Sequence, residues 1–524
     1  MSTRLESPPR VDSARPRGQL SYPSQPRALA LLQPSILWLG VLTLCAADSI
    51  PTAAPGPKFN IVLISATNTR ADHLGVYGYA RPTSPHLDAF ARQGIVMRQA
   101  FTHASWTLPV AVSLFTSQYP FTHGLMNRDE NPVLPPSVPT FVDVLKAAGY
   151  TTAAFVGDRD YSIRYGHTAR FDTVFDAVTD HEQQDWKTYG VFGQTLPPAR
   201  KWLEANHQSP FCLLIQGYDT HCPFASPAEH KQFDSSYRGD IDFTQCYWTF
   251  EPTKPIRKRS PSGLYQDVYV LKSKPGKAAG EDYEVMFYPE DVRHMIALYD
   301  GEIANVDRML GGLFDDLERL GLAKNTIVVF YSDHGDMFGK HGRFMRGGPL
   351  RGTFYDDVLH IPLLIRHPSL PSRSVDVPVE VVDIAPTLLE LLKLPSPATF
   401  VGRSFAAALE GRTSPQENST VFAGSAFTPA KNNQFFKYPS TIMSARNSKW
   451  KLIVERVTYP DGTRDSVELY ELERDPEELK SVALQHPEKV REMRAQLLHW
   501  LRRINAQPQL KDWSDTPAPL PAKG

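Results

Sequence analysis

The chain has 524 residues, 41% of them hydrophobic, and can bury a large core. Its 56 basic and 57 acidic residues almost cancel, which leaves no electrostatic case for a nucleic-acid partner and favours a small or neutral substrate. Four cysteines are too few to build a disulfide framework in a chain of this length.

Residues 1–58 stand outside the fold. Residues 1–27 are rich in Pro, Ser and Arg, and the uninterrupted apolar core Ile36 to Ala47 falls short of the ~20 residues that a spanning helix needs. With Cys45-Ala46-Ala47 as a small-residue cleavage site, this reads as a secretory signal with a long n-region, so the protein is expected to be exported. The alternative is an uncleaved anchor, which would be the chain's only link to a membrane. Pro51 to Pro57 is a linker.

From 59 to 395, strand-like runs near 59–66, 151–156, 211–216, 325–331 and 361–365 alternate with helical patterns near 85–93, 109–117, 139–148, 195–206, 290–320 and 382–393. Such alternation predicts βαβ units and an α/β fold. Within this region, 226–290 is aromatic, basic and rich in Ser, Gly and Pro, and reads as a long surface insertion, either a solvated loop or a lid. Cys212 lies inside an apolar strand as a core residue, whereas Cys222 and Cys246 could pair across the insertion if the protein is exported. A C-terminal subdomain, 396–507, carries strand-like runs at 420–424, 439–445, 449–457 and 466–473 and a charged helix at about 486–503; 508–524 reads as a disordered tail.

The chemistry concentrates at strand ends. The apolar run Thr326 to Phe330 delivers Tyr331-Ser332-Asp333-His334-Gly335, two metal-ligand side chains and a glycine, to the carboxyl end of a buried strand, where open α/β sheets bind ligands. A second such strand, Phe59 to Ala66, precedes Arg70-Ala71-Asp72-His73-Leu74-Gly75, and Ala104-Ser105-Trp106-Thr107-Leu108-Pro109 opens a helical run. Together with Tyr218 to Phe224, Asp300 to Asp307, Val382 to Leu389 and Glu468 to Glu477, these segments resemble the sulfatase family of the alkaline phosphatase superfamily over roughly residues 58–505.

The resemblance implies a mixed, mostly parallel sheet sandwiched by helices, with a small C-terminal antiparallel sheet. It implies hydrolysis of sulfuric esters of small molecules or glycans, and a divalent metal, calcium or magnesium. Residue by residue, it puts Thr107 at the nucleophile position, Asp333, His334 and Asn68 at the metal, and His221 at the leaving group as general acid. His341 matches a family histidine, and Arg346 falls near the family's anion-binding lysine.

Three departures qualify this. Thr107 stands where the family has Cys or Ser, so no formylglycine is expected, and a threonine alkoxide attacks phosphorus more readily than it turns over sulfate. Thr67-Asn68 replaces metal-binding aspartates, so metal affinity should be weak or lost. Ala111 replaces a basic residue. The reading is therefore a sulfuric ester hydrolase or, given Thr107, a phosphate or phosphonate ester hydrolase, with a catalytically impaired anion-binding protein as the alternative. Asp72 and His73 are expected to serve the turn.

Overall fold

The uninterrupted apolar runs become the centre of one sheet. The computed structural model describes residues 59–128, 132–177, 191–224, 232–248, 254–259, 264–273, 283–346, 353–412, 419–428 and 438–514. Eight strands lie in the order Arg373–Val375, Ile95–Met97, Leu363–Arg366, Thr326–Tyr331, Asn60–Ala66, Phe211–Gly217, Thr151–Val156 and Thr173–Asp176. Asn60–Ala66 runs parallel to both neighbours, and the only antiparallel junctions of this sheet flank Leu363–Arg366. The sheet is mixed and mostly parallel.

A strand buried on both faces reads as a continuous apolar run, and every residue of Asn60–Ala66 is buried. Successive side chains point to opposite faces. Ile61 and Leu63 join Val110, Leu114, Phe115, Phe141 and Leu388 on one side, while Val62 and Ile64 join Phe192, Leu310 and Leu313 on the other. Helices Thr107–Thr116, Phe141–Ala147 and Ile384–Leu391 thus cover one face, and Pro85–Arg92, Phe192–Asn206 and Pro289–Arg319 the other. Each large apolar side chain fully buried here contributes ~1.5–3 kcal/mol.

The long helix Pro289–Arg319 also organises the N-terminal segment. Asp300 accepts from Tyr79 and Arg81 and pairs with His73 at 2.6 Å. Asp307 accepts from the backbone N–H groups of His86 and Leu87, giving helix Pro85–Arg92 the cap that the Ser84 side chain does not.

A four-stranded antiparallel sheet, Val421–Phe427, Ser440–Arg446, Trp450–Tyr459 and Gly462–Glu471, follows. One face packs on Met493, Leu497, Trp500 and Leu501 of helix Pro487–Arg503. The other meets Phe101, Phe354, Tyr355 and Val358 of the main body.

Several expectations change. The described parts of 226–290 are not a solvated loop: Tyr247–Trp248, Ile256–Arg259, Tyr265–Ser273 and Tyr283–Phe287 form an antiparallel sheet. Its Leu271 and Phe287 are fully buried with Phe243 and Tyr247 in the main core, because alternate apolar side chains of short strands share a face. A Cys222–Cys246 disulfide closes the base of this segment. The start of the expected disordered tail is instead helical, Gln507–Ser514, held by Trp513, which is buried under Arg456 and Arg494. Short strands Ile95–Met97, Thr173–Asp176 and Arg373–Val375 extend the main sheet where no strand was expected. The leader, anchor and linker readings of 1–58, the rest of the insertion and 515–524 lie outside the described residues. Among the described residues, no helix is long and apolar enough to cross a membrane.

Candidate active site

Parallel pairing of Ser65 with Tyr331 carries Thr67-Asn68 and Ser332-Asp333 past the strand ends side by side. The Asn68 N–H donates to Asp333 Oδ1 at 2.9 Å. Asn68 sits at φ +69°, the left-handed region that asparagine tolerates better than most residues. Its Nδ2 donates to the Thr220 carbonyl at 3.1 Å and to Asp336 Oδ2 at 2.8 Å, while its Oδ1 is buried without a partner. Thr67 is already engaged: Gln216 Nε2 donates to its Oγ1 at 2.7 Å.

Thr107 opens the helix Thr107–Thr116, and no side chain caps that end. First-turn N–H groups of a helix lack intrahelical acceptors and carry the positive end of the dipole, which suits a tetrahedral anion. Thr107 Oγ1 lies 3.4 Å from His334 Nε2. His334 Nδ1 is 2.9 Å from the Gly335 carbonyl, which can only accept, so Nδ1 carries the proton and Nε2 presents a lone pair. That lone pair also faces Asp333 Oδ2 at 3.3 Å. Burial pushes His334 down to about 4, so the ring is neutral.

Two electron-rich atoms facing each other in a dry site call for something positive between them. Asp333 Oδ2 has no hydrogen-bond partner, and neither has Asn68 Oδ1. A carboxylate oxygen, an amide oxygen and an imidazole nitrogen fit a divalent cation, but with one negative charge among them. Among the described residues, no group of three or more His, Cys, Asp or Glu side chains forms a metal cage. The donor set fits a weakly held ion.

Arg346 is 5% exposed, and its Nε and Nη1 lack partners among the described residues. Its charge depresses His221 and His334 and stabilises ionised Asp336, so it faces the same basin. His221 stacks on Tyr218 at 4.2 Å between centroids, and its Nδ1 lies 2.6 Å from the Cys222 carbonyl. Burial first, and Arg346 next, hold His221 well below its ordinary value. It is thus a neutral ring presenting Nε2 as an acceptor, a poor starting state for the general-acid role.

His341 is set apart. Its ring stacks on Tyr355 at 3.6 Å and lies in the field of Asp357 and Glu468, and no hydrogen bond joins it to Thr107, Asp333 or His334. Asp72 pairs with Arg70 at 2.6 Å and His73 with Asp300, so both serve the turn. Ala111 is fully buried and puts no polar group at the departed basic position.

Sequence reasoning missed a further acidic group. Thr151–Val156 is also a buried parallel strand, and Gly157-Asp158-Arg159-Asp160 follows its carboxyl end, the same signal that singled out Asp333. Asp160 pairs with Arg128 through both carboxylate oxygens, and the guanidinium lies 5.2 Å from the centre of the Trp106 ring, beside Thr107. Asp336, which holds the Asn68 amide, was missed as well.

Known proteins align along nearly the whole described body. The Sulfatase family model matches residues 59–394, and the model of the N-sulphoglucosamine sulphohydrolase C-terminal region matches 339–507. Arylsulfatase K of Xenopus laevis is 26% identical over 473 residues, covering 83% of this chain and 81% of its own. Arylsulfatase K of Homo sapiens is 26% identical over 482 residues, covering 86% and 83%. Among solved structures, the phosphonate monoester hydrolase of Agrobacterium radiobacter superposes with a TM-score of 0.61 at 20% identity, over 84% of this chain and 96% of that one. A protein solved with its substrate D-glucosamine-2-N,6-O-disulfate gives 0.63 at 18% identity, over 86% and 98%. At these identities the superpositions establish a shared fold. Members of the family generally use a divalent metal. The chain belongs to the sulfatase family, the hydrolases of sulfuric and related esters.

Proposed function

We propose that this protein hydrolyses sulfuric or, more readily, phosphoric or phosphonic monoesters of small molecules or glycans, with Thr107 as nucleophile. The observation that carries the reading is the placement of Thr107 Oγ1 at an uncapped helix start, 3.4 Å from the bare Nε2 of His334. The first-turn N–H groups and Arg346 bind the equatorial oxygens of the ester and the charge that builds on them. With no ion held at His334, its Nε2 accepts the Thr107 proton as the Thr107 oxygen bonds to phosphorus and the bond to the ester alcohol breaks. The alcohol departs on the side packed by His221 and Tyr218, taking a proton from solvent, and water then cleaves the Thr107 ester. With an ion bound, that same His334 lone pair is occupied, and the Thr107 hydroxyl is acidified by the metal in place of the base. Asp333, His334 and Asn68 are the residues that would hold calcium or magnesium, weakly, and such an ion supplies Lewis acidity toward the reacting oxygen. Turnover is expected to be slow unless divalent metal is plentiful.

Export to an oxidising compartment is supported by the Cys222–Cys246 disulfide, a bond that reducing compartments disfavour. The domain reading, a catalytic region over 59–395 and a subdomain over 396–507, is part of the same proposal. A second reading, an anion-binding protein that no longer turns over, is favoured by a single charged carboxylate among the metal donors and by buried Ala111.

The test is hydrolysis of p-nitrophenyl phosphate and sulfate by the intact protein and by Thr107→Ala. Thr107→Ala should lose at least ~100-fold in turnover of every ester the parent cleaves. Unchanged rates would exclude covalent catalysis through Thr107, and a wild type inert with both esters at millimolar calcium or magnesium would leave the binding-protein reading.

A further inference from the structure

We propose that a cavity between the main body and the C-terminal sheet binds a small organic anion, a monocarboxylate with an apolar body the size of one ring, gripped by Arg403 and Arg503. The site is separate from the ester basin. It adjoins Tyr119, three residues beyond the end of helix Thr107–Thr116, whereas Thr107 starts that helix, and ten residues of α-helix span about 15 Å.

The cavity has a volume of about 230 Å³. Pockets for drug-sized ligands run to ~300–1,000 Å³, so its occupant is smaller than those. Its apolar wall comes from both sides of the junction: Val379, Phe405 and Ala408 belong to the main core, and Val421 to the first strand of the C-terminal sheet. Its floor is the buried carboxyl pair of Glu380 and Asp383. The cations lining it are Arg403 and Arg503, both exposed, the latter ending helix Pro487–Arg503.

What this cavity lacks is an acceptor, because every carboxyl oxygen in it is already engaged. Glu380 Oε2 accepts from the Tyr119 hydroxyl at 2.8 Å and Oε1 from the Phe422 N–H at 3.0 Å. Asp383 Oδ2 accepts from the Glu380 N–H at 2.9 Å and Oδ1 from the Arg403 N–H at 2.6 Å. Among the described residues, neither guanidinium is bonded to another side chain, so both forks are open to a carboxylate, which arginine meets through two parallel N–H···O bonds. Burial raises both carboxyls, which thins the negative charge at the floor near neutral pH while the arginines keep theirs. The charge that remains repels an anion pushed inward. The ligand's carboxylate therefore stays with the arginines while its uncharged end enters and gains by leaving water. A carboxylate without such an end gains nothing from the wall, and a cation meets the arginines first.

The experiment is titration calorimetry of the intact protein at neutral pH with benzoate, with acetate, which has the charge without the ring, and with benzylamine, which has the ring with the opposite charge. Benzoate should saturate a single site and bind at least ~10-fold more tightly than either of the others. Arg403→Gln and Arg503→Gln should each weaken benzoate at least ~10-fold, the loss expected when a charge-assisted hydrogen bond is removed. Both arginines are exposed, so these variants leave the core packing alone. Arg346→Gln, which alters the ester basin instead, should leave benzoate affinity within ~2-fold, as distant independent sites do. No saturable benzoate binding, equal affinity for acetate or benzylamine, an affinity unchanged in either Arg403→Gln or Arg503→Gln, or an equal loss in Arg346→Gln would each overturn the proposal.

Discussion

Two clusters of buried charge in this protein are built in opposite ways. Behind the C-terminal sheet, fully buried Lys451 sits between Asp356 at 2.6 Å and Glu478 at 2.8 Å. Arg446 completes the group, bonding Asp356 at 3.0 Å and lying 4.2 Å over the Phe101 ring. Asp356 belongs to the main body and the two cations to strands of the C-terminal sheet, so the cluster is a lock in which each charge meets an opposite one, Glu478 Oε1 through its ion pair with Lys451 and not a hydrogen bond. At the carboxyl ends of the main sheet burial is as deep, yet Asp158 Oδ2, Asp333 Oδ2, Asn68 Oδ1 and two Arg346 nitrogens are left open. Folded proteins pair nearly all their buried polar groups. The contrast supports the proposal that the second cluster is completed by a ligand, its unpartnered atoms carrying no opposite charge from the protein.

Breaking the closed cluster should have the largest effect. Lys451→Met strands Glu478 in the interior and leaves Asp356 to Arg446 alone, and is expected to cost ~3–5 kcal/mol in urea unfolding, the range for removing one partner of a buried ion pair. A loss under ~1 kcal/mol would mean that water reaches the lock and that the contrast is one of degree.

The open cluster should respond instead to a gain of charge. Thr67→Asp combined with Asn68→Asp adds two ionised oxygens beside Asp333, and calcium affinity by titration calorimetry should rise at least ~10-fold. Tight stoichiometric metal in the wild type, unimproved by the double substitution, would show that the cluster is already complete.

The smallest expected effect concerns a third buried group, intermediate between the two. Glu380 accepts from the Tyr119 hydroxyl at 2.8 Å and the Phe422 N–H at 3.0 Å, so it is hydrogen-bonded yet lacks a close cation. Burial, and then Asp383, push it up to about 8, and Asp383 itself is raised to about 6. A carboxyl whose folded value is raised stabilises the fold below its unfolded value, near 4.5, and loses that contribution as pH climbs through the folded value. Melting temperature should therefore decline from about pH 5 to about pH 8, and Glu380→Gln should flatten part of the decline. Parallel melting curves for the two proteins across that window would remove Glu380 from the account.

What could be read from the sequence follows from how each signal is carried. Central strands announce themselves because both faces are apolar, and Asn60–Ala66 and Thr326–Tyr331 are adjacent as that argument requires. The left-handed backbone at Asn68 suits its residue type, since asparagine is one of few residues at ease there. The sheet inside 226–290 was hidden, since strands as short as Tyr247–Trp248 and as exposed as Ile256–Arg259 show no usable alternation. The helix Gln507–Ser514 was hidden for another reason: one tryptophan finding a hydrophobic seat between two arginines outweighs a polar composition. Asp158 and Asp160 were overlooked because a family likeness directs attention to the positions it names, although the strand before them carried the same sign as the other two.

All ten residues of the helix Thr107–Thr116 are buried, an arrangement that governs when the site becomes ready. Amides in its first turn cannot swing to meet a ligand without opening the main core, so these donors stand in place before an ester arrives and need no reorganisation as charge develops. A scaffold this stiff leaves discrimination to the rim. On the proposed reading, which esters are admitted is then a matter for the loops around Tyr218 and Arg346 and for the small sheet beside them, the parts able to vary without disturbing Thr107, the proposed nucleophile.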